Sequence, residues 1–179
     1  IQVGNALESS SQMGPQVTEQ HLKSIERYVD IGLEEGATLV TGGKRKKESG
    51  SGYFYTPTVF ENVTNTMTIA REEIFGPVVS IIRYKDEEEV IAQAIDTVYG
   101  LTSGIWTNDL KRGHRMARRL KSGTIYVNTF NMLDSTAPFG GYKSSGFGRD
   151  LGIEALNMYT QTKHVWIDLN THGLNWYGL

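Results

Sequence analysis

The residues best suited to chemistry lie in the stretch Arg71-Glu72-Glu73-Ile74-Phe75-Gly76-Pro77, directly before an apolar run at 78–82. Two carboxylates and an aromatic ring there adjoin a Gly-Pro turn. A turn beside a buried strand is where an α/β protein presents polar groups to a ligand. Adjacent residues on an extended segment point in opposite directions, so we expect at most one of Glu72 and Glu73 to face a ligand. From residue types alone, a solvated acidic turn with Phe75 in the core is the simpler interpretation, since most charged residues are exposed.

A glycine-rich loop, Pro138-Phe139-Gly140-Gly141-Tyr142-Lys143-Ser144-Ser145-Gly146-Phe147-Gly148-Arg149, is the second candidate. Its spacing excludes both common phosphate-binding patterns, because Leu151 occupies the third glycine position and Tyr142 precedes Lys143. A shaped loop beside a pocket and an inert turn both remain open. Lys143 could contact a phosphate or form a Schiff base, but a solvated lysine is the expected state.

Other kinds of catalytic and metal site find no support in the sequence. The chain has no cysteine, which excludes a thiolate metal site, a disulfide framework and a cysteine nucleophile. No serine lies in a nucleophile-elbow pattern. The four histidines have no ligand-like spacing, so we predict no metal site. They are His21, His114, His164 and His172.

Length and composition indicate one globular domain. The chain has 179 residues, of which 39% are hydrophobic and 21% charged. A net charge of -2 gives no support for nucleic-acid or acidic-membrane binding, so the basic run Lys44-Arg45-Lys46-Lys47 is interpreted as a solvated loop. No apolar run is long enough to span a membrane. The lack of cysteine and of a signal-peptide pattern predicts a cytoplasmic protein, although the chain does not begin with Met.

The first third of the chain predicts a helix and two extended segments. Thr18 is placed to cap a helix with an apolar face that ends at Gly36. That face is formed by Leu22, Ile25, Val29 and Leu33. A short strand is expected at 37–40. Residues 53–60 are rich in aromatic and β-branched side chains, and Pro57 argues for an edge strand there.

From residue 78 the pattern becomes regular. Strands are predicted at 78–84, 101–106 and 124–128, with helices between them capped by Asp86 and by Asn108 or Asp109. This order predicts an α/β fold with a parallel strand-helix-strand sheet. A weak helix follows at about 151–159. The segment from Thr162 to Leu169 alternates like a strand.

The chain resembles the C-terminal portion of the aldehyde dehydrogenase superfamily, with landmarks in order along almost its whole length. Beyond 72–77, the landmarks are Gly14-Pro15-Gln16-Val17, Glu35-Gly36-Ala37, Pro57-Thr58-Val59-Phe60, Tyr99-Gly100-Leu101, Gly123-Thr124-Ile125-Tyr126-Val127-Asn128 and residues 138–146. In that family a cysteine thiolate attacks an aldehyde, hydride passes to NAD or NADP, and a glutamate-activated water releases the acid. The family's cysteine, its general-base glutamate and its dinucleotide-binding domain lie upstream of the position that matches Ile1.

The resemblance implies roles for five residues. Glu73 would bind the nicotinamide ribose and Phe75 would pack near the nicotinamide. Phe139 would line the aldehyde pocket, with Asn131 and Leu133 beside it in the variable loop 129–136.

The resemblance also implies an organisation. Residues 1–160 would form part of the catalytic domain, and 161–179 an oligomerisation strand and tail. Pairing through Thr162 to Leu169 would make a homo-oligomer. We therefore interpret the chain as a segment of an NAD(P)-dependent aldehyde dehydrogenase that is inactive alone. The alternative is a catalytically inert α/β module that assembles or binds.

Overall fold

The computed structural model describes residues 1–46 and 52–169. Residues 47–51 of the basic loop and the tail from 170, with His172, lie outside the described residues. In chain order the elements are α1 (Glu19–Glu34), β1 (Thr38–Thr41), β2 (Thr58–Glu61), α2 (Thr68–Arg71), β3 (Val78–Ser80), α3 (Glu87–Ile95), β4 (Thr102–Ile105), α4 (Leu110–Arg119), β5 (Thr124–Val127) and α5 (Leu156–Tyr159), with 3₁₀ turns at Lys143–Ser145 and Ile153–Ala155.

Helix α1 begins as its sequence predicts. The Thr18 hydroxyl accepts a hydrogen bond from the His21 backbone N–H at 3.1 Å, and Gly36 follows the helix with φ of 95°. Three of the four expected apolar residues are buried, but Leu33 is 45% exposed. Gly32 is buried in its place, because α2 packs so close that a Cβ there would lie 2.9 Å from Ile69 Cδ1.

Strands β1, β2 and β3 form one sheet that packs on α1. β1 pairs antiparallel with β2, and β2 pairs parallel with β3. β2 is therefore the central strand, and the expectation that Pro57 marks an edge is wrong. Pro57 lies just before the first strand residue, where its missing N–H costs no ladder hydrogen bond. The core of this unit is formed by Leu22, Ile25, Val29, Ala37, Tyr55, Phe60, Val63 and Ile69.

Strands β4 and β5 form a second, parallel sheet with α4 as the connection between them. Asp86 caps α3 by accepting from Glu89 N–H at 2.9 Å, and Asp109 caps α4 by accepting from Arg112 N–H at 3.1 Å. The α/β class and the parallel strand-helix-strand unit are confirmed. β3 ends at Ser80 rather than at Tyr84, and its partner is β2 rather than β4, so the regular elements form two sheets instead of one.

The C-terminal part has less regular structure than the sequence predicts. The weak helix is a 3₁₀ turn followed by the four-residue α5. Residues 162–169 are exposed and form no strand within this single chain. In the described ranges no helix is long and apolar enough to cross a membrane. The cytoplasmic location stays a prediction.

Candidate functional site

Helix α1 holds the loop that carries the two adjacent carboxylates. Tyr28 Oη donates a hydrogen bond of 2.8 Å to Glu72 Oε2. This hydrogen bond raises the pKa of the Tyr28 hydroxyl, because the anionic carboxylate stabilises the protonated phenol. One carboxylate oxygen of Glu72 is therefore engaged in a structural contact with α1.

Glu73 is exposed and makes no hydrogen bond or ion pair with any described residue. It lines a cavity of about 420 Å³ between the loop, the segment after α3 and the glycine-rich loop. The other lining residues are Ala70, Arg71, Glu72, Tyr99, Leu101, Ser144 and Ser145. An unpaired carboxylate in such a cavity can accept hydrogen bonds from ligand hydroxyl groups.

Phe75 lies at the surface, which overturns its interpretation as a core residue. Its side chain is 75% exposed and its backbone has a φ of 55°, a conformation uncommon outside glycine. Its carbonyl oxygen lies 2.6 Å from His21 Nε2, and the two rings contact each other with centroids 5.9 Å apart. An exposed aromatic ring on a fixed backbone is a surface on which a planar ligand can stack.

The glycine-rich loop packs on the turn that precedes β4. Gly100 N–H donates to Ser145 Oγ at 3.0 Å, and Tyr142 N–H donates to the Gly100 carbonyl at 2.8 Å. The loop also packs closely on Gly123, because a Cβ at Gly123 would overlap the carbonyl of Gly140. The loop is thus neither a phosphate cradle nor a free turn but the wall of a cavity.

Lys143 is exposed, as expected, but its amino group is engaged in hydrogen bonds rather than free for covalent chemistry. Its Nζ donates to the carbonyl of Ile95 at 2.7 Å and to that of Thr97 at 2.9 Å. Ile95 is the last residue of α3, where carbonyl groups lack partners within the helix and a positive charge is favourable. Lys143 therefore ties the loop to the end of α3.

Phe139 lines a second cavity, of about 410 Å³, which adjoins the one at Glu73. Leu101 and Ser145 line both cavities. The remaining residues of the second cavity are Gly140, Gly141, Phe147, Gly148, Arg149, Asp150, Met158 and Tyr159. The two candidate positions, one for a cofactor and one for a substrate, thus share a wall.

Asn131 and Leu133 do not line the cavity at Phe139. Both are exposed, and Asn131 has a φ of 57°. Their loop is ordered by Tyr126 Oη, which donates to the Met132 carbonyl at 2.9 Å, and by hydrogen bonds from Thr136 that lower the pKa of Asp134. The structure therefore does not bring these two residues together with Phe139.

Several site residues carry little signal in the sequence. Tyr99, Leu101 and Ser145 lie in loops or at a strand end, and only the fold brings them near Glu73. His21 and Tyr28 are seven residues apart, a helical spacing that places both on one face of α1. That spacing was the one available indication that they act together.

Comparison with known proteins assigns the class. The sequence model of the aldehyde dehydrogenase family matches residues 1–165, and the chain belongs to that family. Betaine aldehyde dehydrogenase of Bacillus subtilis (strain 168) is 44% identical over 179 residues, which are 99% of this chain and 36% of that protein. Betaine aldehyde dehydrogenase of Brucella anthropi is 47% identical over 171 residues, or 94% of this chain and 35% of that protein.

Solved structures of related proteins agree. Betaine aldehyde dehydrogenase of Staphylococcus aureus, in complex with NAD⁺, superposes with a TM-score of 0.93 at 40% identity, covering 99% of this chain and 36% of that one. Aldehyde dehydrogenase of Bacillus cereus, also an NAD⁺ complex, superposes with a TM-score of 0.89 at 45% identity. The match covers 95% of this chain and 34% of that one. The chain therefore spans about a third of the length of these relatives, the C-terminal third by the resemblance of its landmarks.

Proposed function

We propose that this chain supplies one side of the active site of an NAD-dependent aldehyde dehydrogenase, which oxidises an aldehyde to a carboxylic acid. The observation that carries the proposal is the pair of adjoining cavities, one with the free carboxylate of Glu73 and one lined by Phe139. In hydride transfer, cofactor and substrate must lie in contact. Two cavities that share the lining residues Leu101 and Ser145 adjoin each other, which supports such an arrangement.

The residues present fit a nicotinamide cofactor. The carboxylate of Glu73 accepts hydrogen bonds from ribose hydroxyls, and the exposed ring of Phe75 packs beside the nicotinamide. NAD supplies the hydride acceptor, as the NAD⁺ complexes of two relatives support. NADP remains a second possibility for the cofactor, since the described residues do not distinguish the two.

The nucleophile comes from outside this polypeptide. The sequence contains no cysteine, and the thiolate that attacks the aldehyde must be provided by the part of the enzyme that this chain does not match. The 179-residue chain alone is accordingly inactive. The first aldehyde to test is betaine aldehyde, because the most similar curated relatives carry that name.

A chimera tests the proposal. This chain replaces the matching segment of the B. subtilis betaine aldehyde dehydrogenase, and NADH formation is followed with betaine aldehyde and with simple aliphatic aldehydes. We expect turnover by the chimera and none above background by the isolated chain of verified mass. Turnover by the isolated chain would refute the external nucleophile. A correctly folded chimera that binds NAD⁺ but oxidises no aldehyde would contradict the assignment of this site.

The alternative function, assembly without chemistry, is supported by a different observation. Val165, Trp166 and Ile167 are 65%, 82% and 73% exposed, in a segment that pairs with no strand among residues 1–46 and 52–169. Exposed alternating residues of this kind favour pairing with another sheet edge. We propose that residues 162–169 contact a second copy of the chain, which is compatible with either function.

A further inference from the structure

Helix α1 contacts the loop at residues 72–76, which carries Glu73 and is called the cofactor loop, at three points on one face of the helix. Tyr28 donates to Glu72, and His21 lies 2.6 Å from the Phe75 carbonyl. Between them lies Ile25, fully buried, against which Gly76 packs so closely that a Cβ would lie 2.6 Å from Ile25 Cδ1. The loop thus contacts α1 at Glu72, at Phe75 and at Gly76.

The two polar contacts have matching spacings. His21 and Tyr28 are seven residues apart, or about 10.5 Å along a helix that rises about 1.5 Å per residue. Glu72 and Phe75 are three residues apart, and an extended chain spans about 10 to 11 Å over that number. The helix can therefore hold both ends of the segment from Glu72 to Phe75, and Glu73 is a residue between the two held points.

The chemistry of the His21 contact is fixed by its partner. A carbonyl oxygen only accepts hydrogen bonds, so Nε2 must carry the proton. Nδ1 is buried and has no hydrogen-bond partner among the described residues. A donated hydrogen bond to Phe75 also stabilises a backbone whose φ of 55° costs free energy in a residue with a Cβ.

We propose that His21 and Tyr28 are positioning residues that set the cofactor affinity of the site by holding Glu72 and Phe75 on α1, so that Glu73 faces the ligand. This inference rests on the proposed function. His21 itself reacts with nothing. It acts through the backbone of Phe75, and any side chain that donates to the same carbonyl can replace it.

The contact itself is tested in the whole 179-residue chain. Long-range ¹H–¹⁵N spectra report which nitrogen of His21 is protonated, and we expect Nε2. Hydrogen exchange of the amides at 72–78 is then compared in the wild type, His21→Leu and His21→Gln. The Leu variant should exchange roughly tenfold faster there, and the Gln variant, which keeps an N–H donor, should remain close to the wild type.

The amides of β4 and β5 are the internal control, because His21 does not contact that sheet. If the Leu variant loses protection in β4 and β5 as well, it has unfolded. The tautomer of His21 in the wild type and the exchange of the Gln variant then test whether His21 holds the loop. Two results would refute the proposal that His21 and Tyr28 hold the loop. One is protonation of His21 at Nδ1 rather than Nε2, and the other is unchanged exchange at 72–78 in a folded Leu variant.

The consequence for the cofactor is tested in the chimera. His21→Leu should raise the KM for NAD⁺ about tenfold with the KM for the aldehyde unchanged, and His21→Gln should restore the wild-type value. Faster hydrogen exchange at 72–78 with an unchanged KM for NAD⁺ would show that the contacts of His21 and Tyr28 with the loop do not set cofactor affinity, and would refute the inference. A wild-type chimera without activity would instead contradict the proposed function, while the tautomer and exchange results would stand.

Discussion

The two adjacent glutamates should respond in opposite ways to the same substitution. Glu72→Gln keeps an oxygen that accepts from Tyr28 at a similar distance but removes its charge. Charged hydrogen bonds contribute about 1 kcal/mol more than neutral ones, and exposure of this pair reduces the difference to about 0.5 kcal/mol. The free energy of unfolding of the isolated chain should fall by that amount, and turnover of the chimera should change less than about twofold.

Glu73→Gln should leave stability unchanged, because Glu73 has no partner among the described residues. In the chimera it should slow turnover by about tenfold or more, since loss of about 1.4 kcal/mol of transition-state positioning is a factor of ten in rate. Urea unfolding followed by circular dichroism measures the first quantity, and NADH formation the second. Equal losses of turnover in both variants, or none in either, would refute the assignment of one structural and one ligand-binding carboxylate.

Three further predictions concern the chain itself. Tyr55 is fully buried, its hydroxyl has no partner among the described residues, and burial raises its pKa from 10.0 to about 12. Since the unfolded chain ionises first, stability should fall as pH rises from 10 to 12, and Tyr55→Phe should remove most of that loss in pH-dependent unfolding experiments. Gly123→Ala should lower the free energy of unfolding by about 2 kcal/mol, because its Cβ would overlap the Gly140 carbonyl. Lysine at both Val165 and Ile167 should shift the species seen by light scattering towards monomer.

The predictions for Tyr55 and Gly123 have matched control variants in the chain, and the prediction of self-association has a direct test in the wild type. Tyr53→Phe removes a hydroxyl from a residue that is 38% exposed and should leave the alkaline loss of stability in place. Gly146→Ala tests a glycine with open space around it, where strain from its φ of 106° is the only cost. A wild-type chain that is already monomeric at high concentration would contradict self-association through residues 162–169.

Local chemistry predicted the helices well and the site only in part. Thr18, Asp86 and Asp109 cap helices through contacts three residues away, which the sequence displays directly. The length of β3 depends on which strand lies beside it, and that is a long-range property. The pattern at 78–84 describes a strand that its partner β2 can pair with only over its first residues.

Residue roles were hardest to predict where a side chain acts on a distant backbone. Lys143 is exposed, as expected, but the sequence did not indicate its partners, which are carbonyls 46 and 48 residues earlier in the chain. Likewise, His21 carries no sequence feature that indicates Phe75, which is 54 residues away. The family landmarks predicted roles for Glu73 and Phe139, whereas the contacts that hold the neighbours of Glu73 in place required the structure.

The wall formed by Leu101 and Ser145 limits how the two cavities can be altered. Because both residues line both spaces, a smaller residue at either position should enlarge the two together. Under the proposed function, an engineered change of aldehyde preference made at this wall would therefore also alter the fit of the nicotinamide end of the cofactor. Tyr159, which lines only the cavity at Phe139, and Arg71, which lines only the one at Glu73, allow each to be reshaped separately.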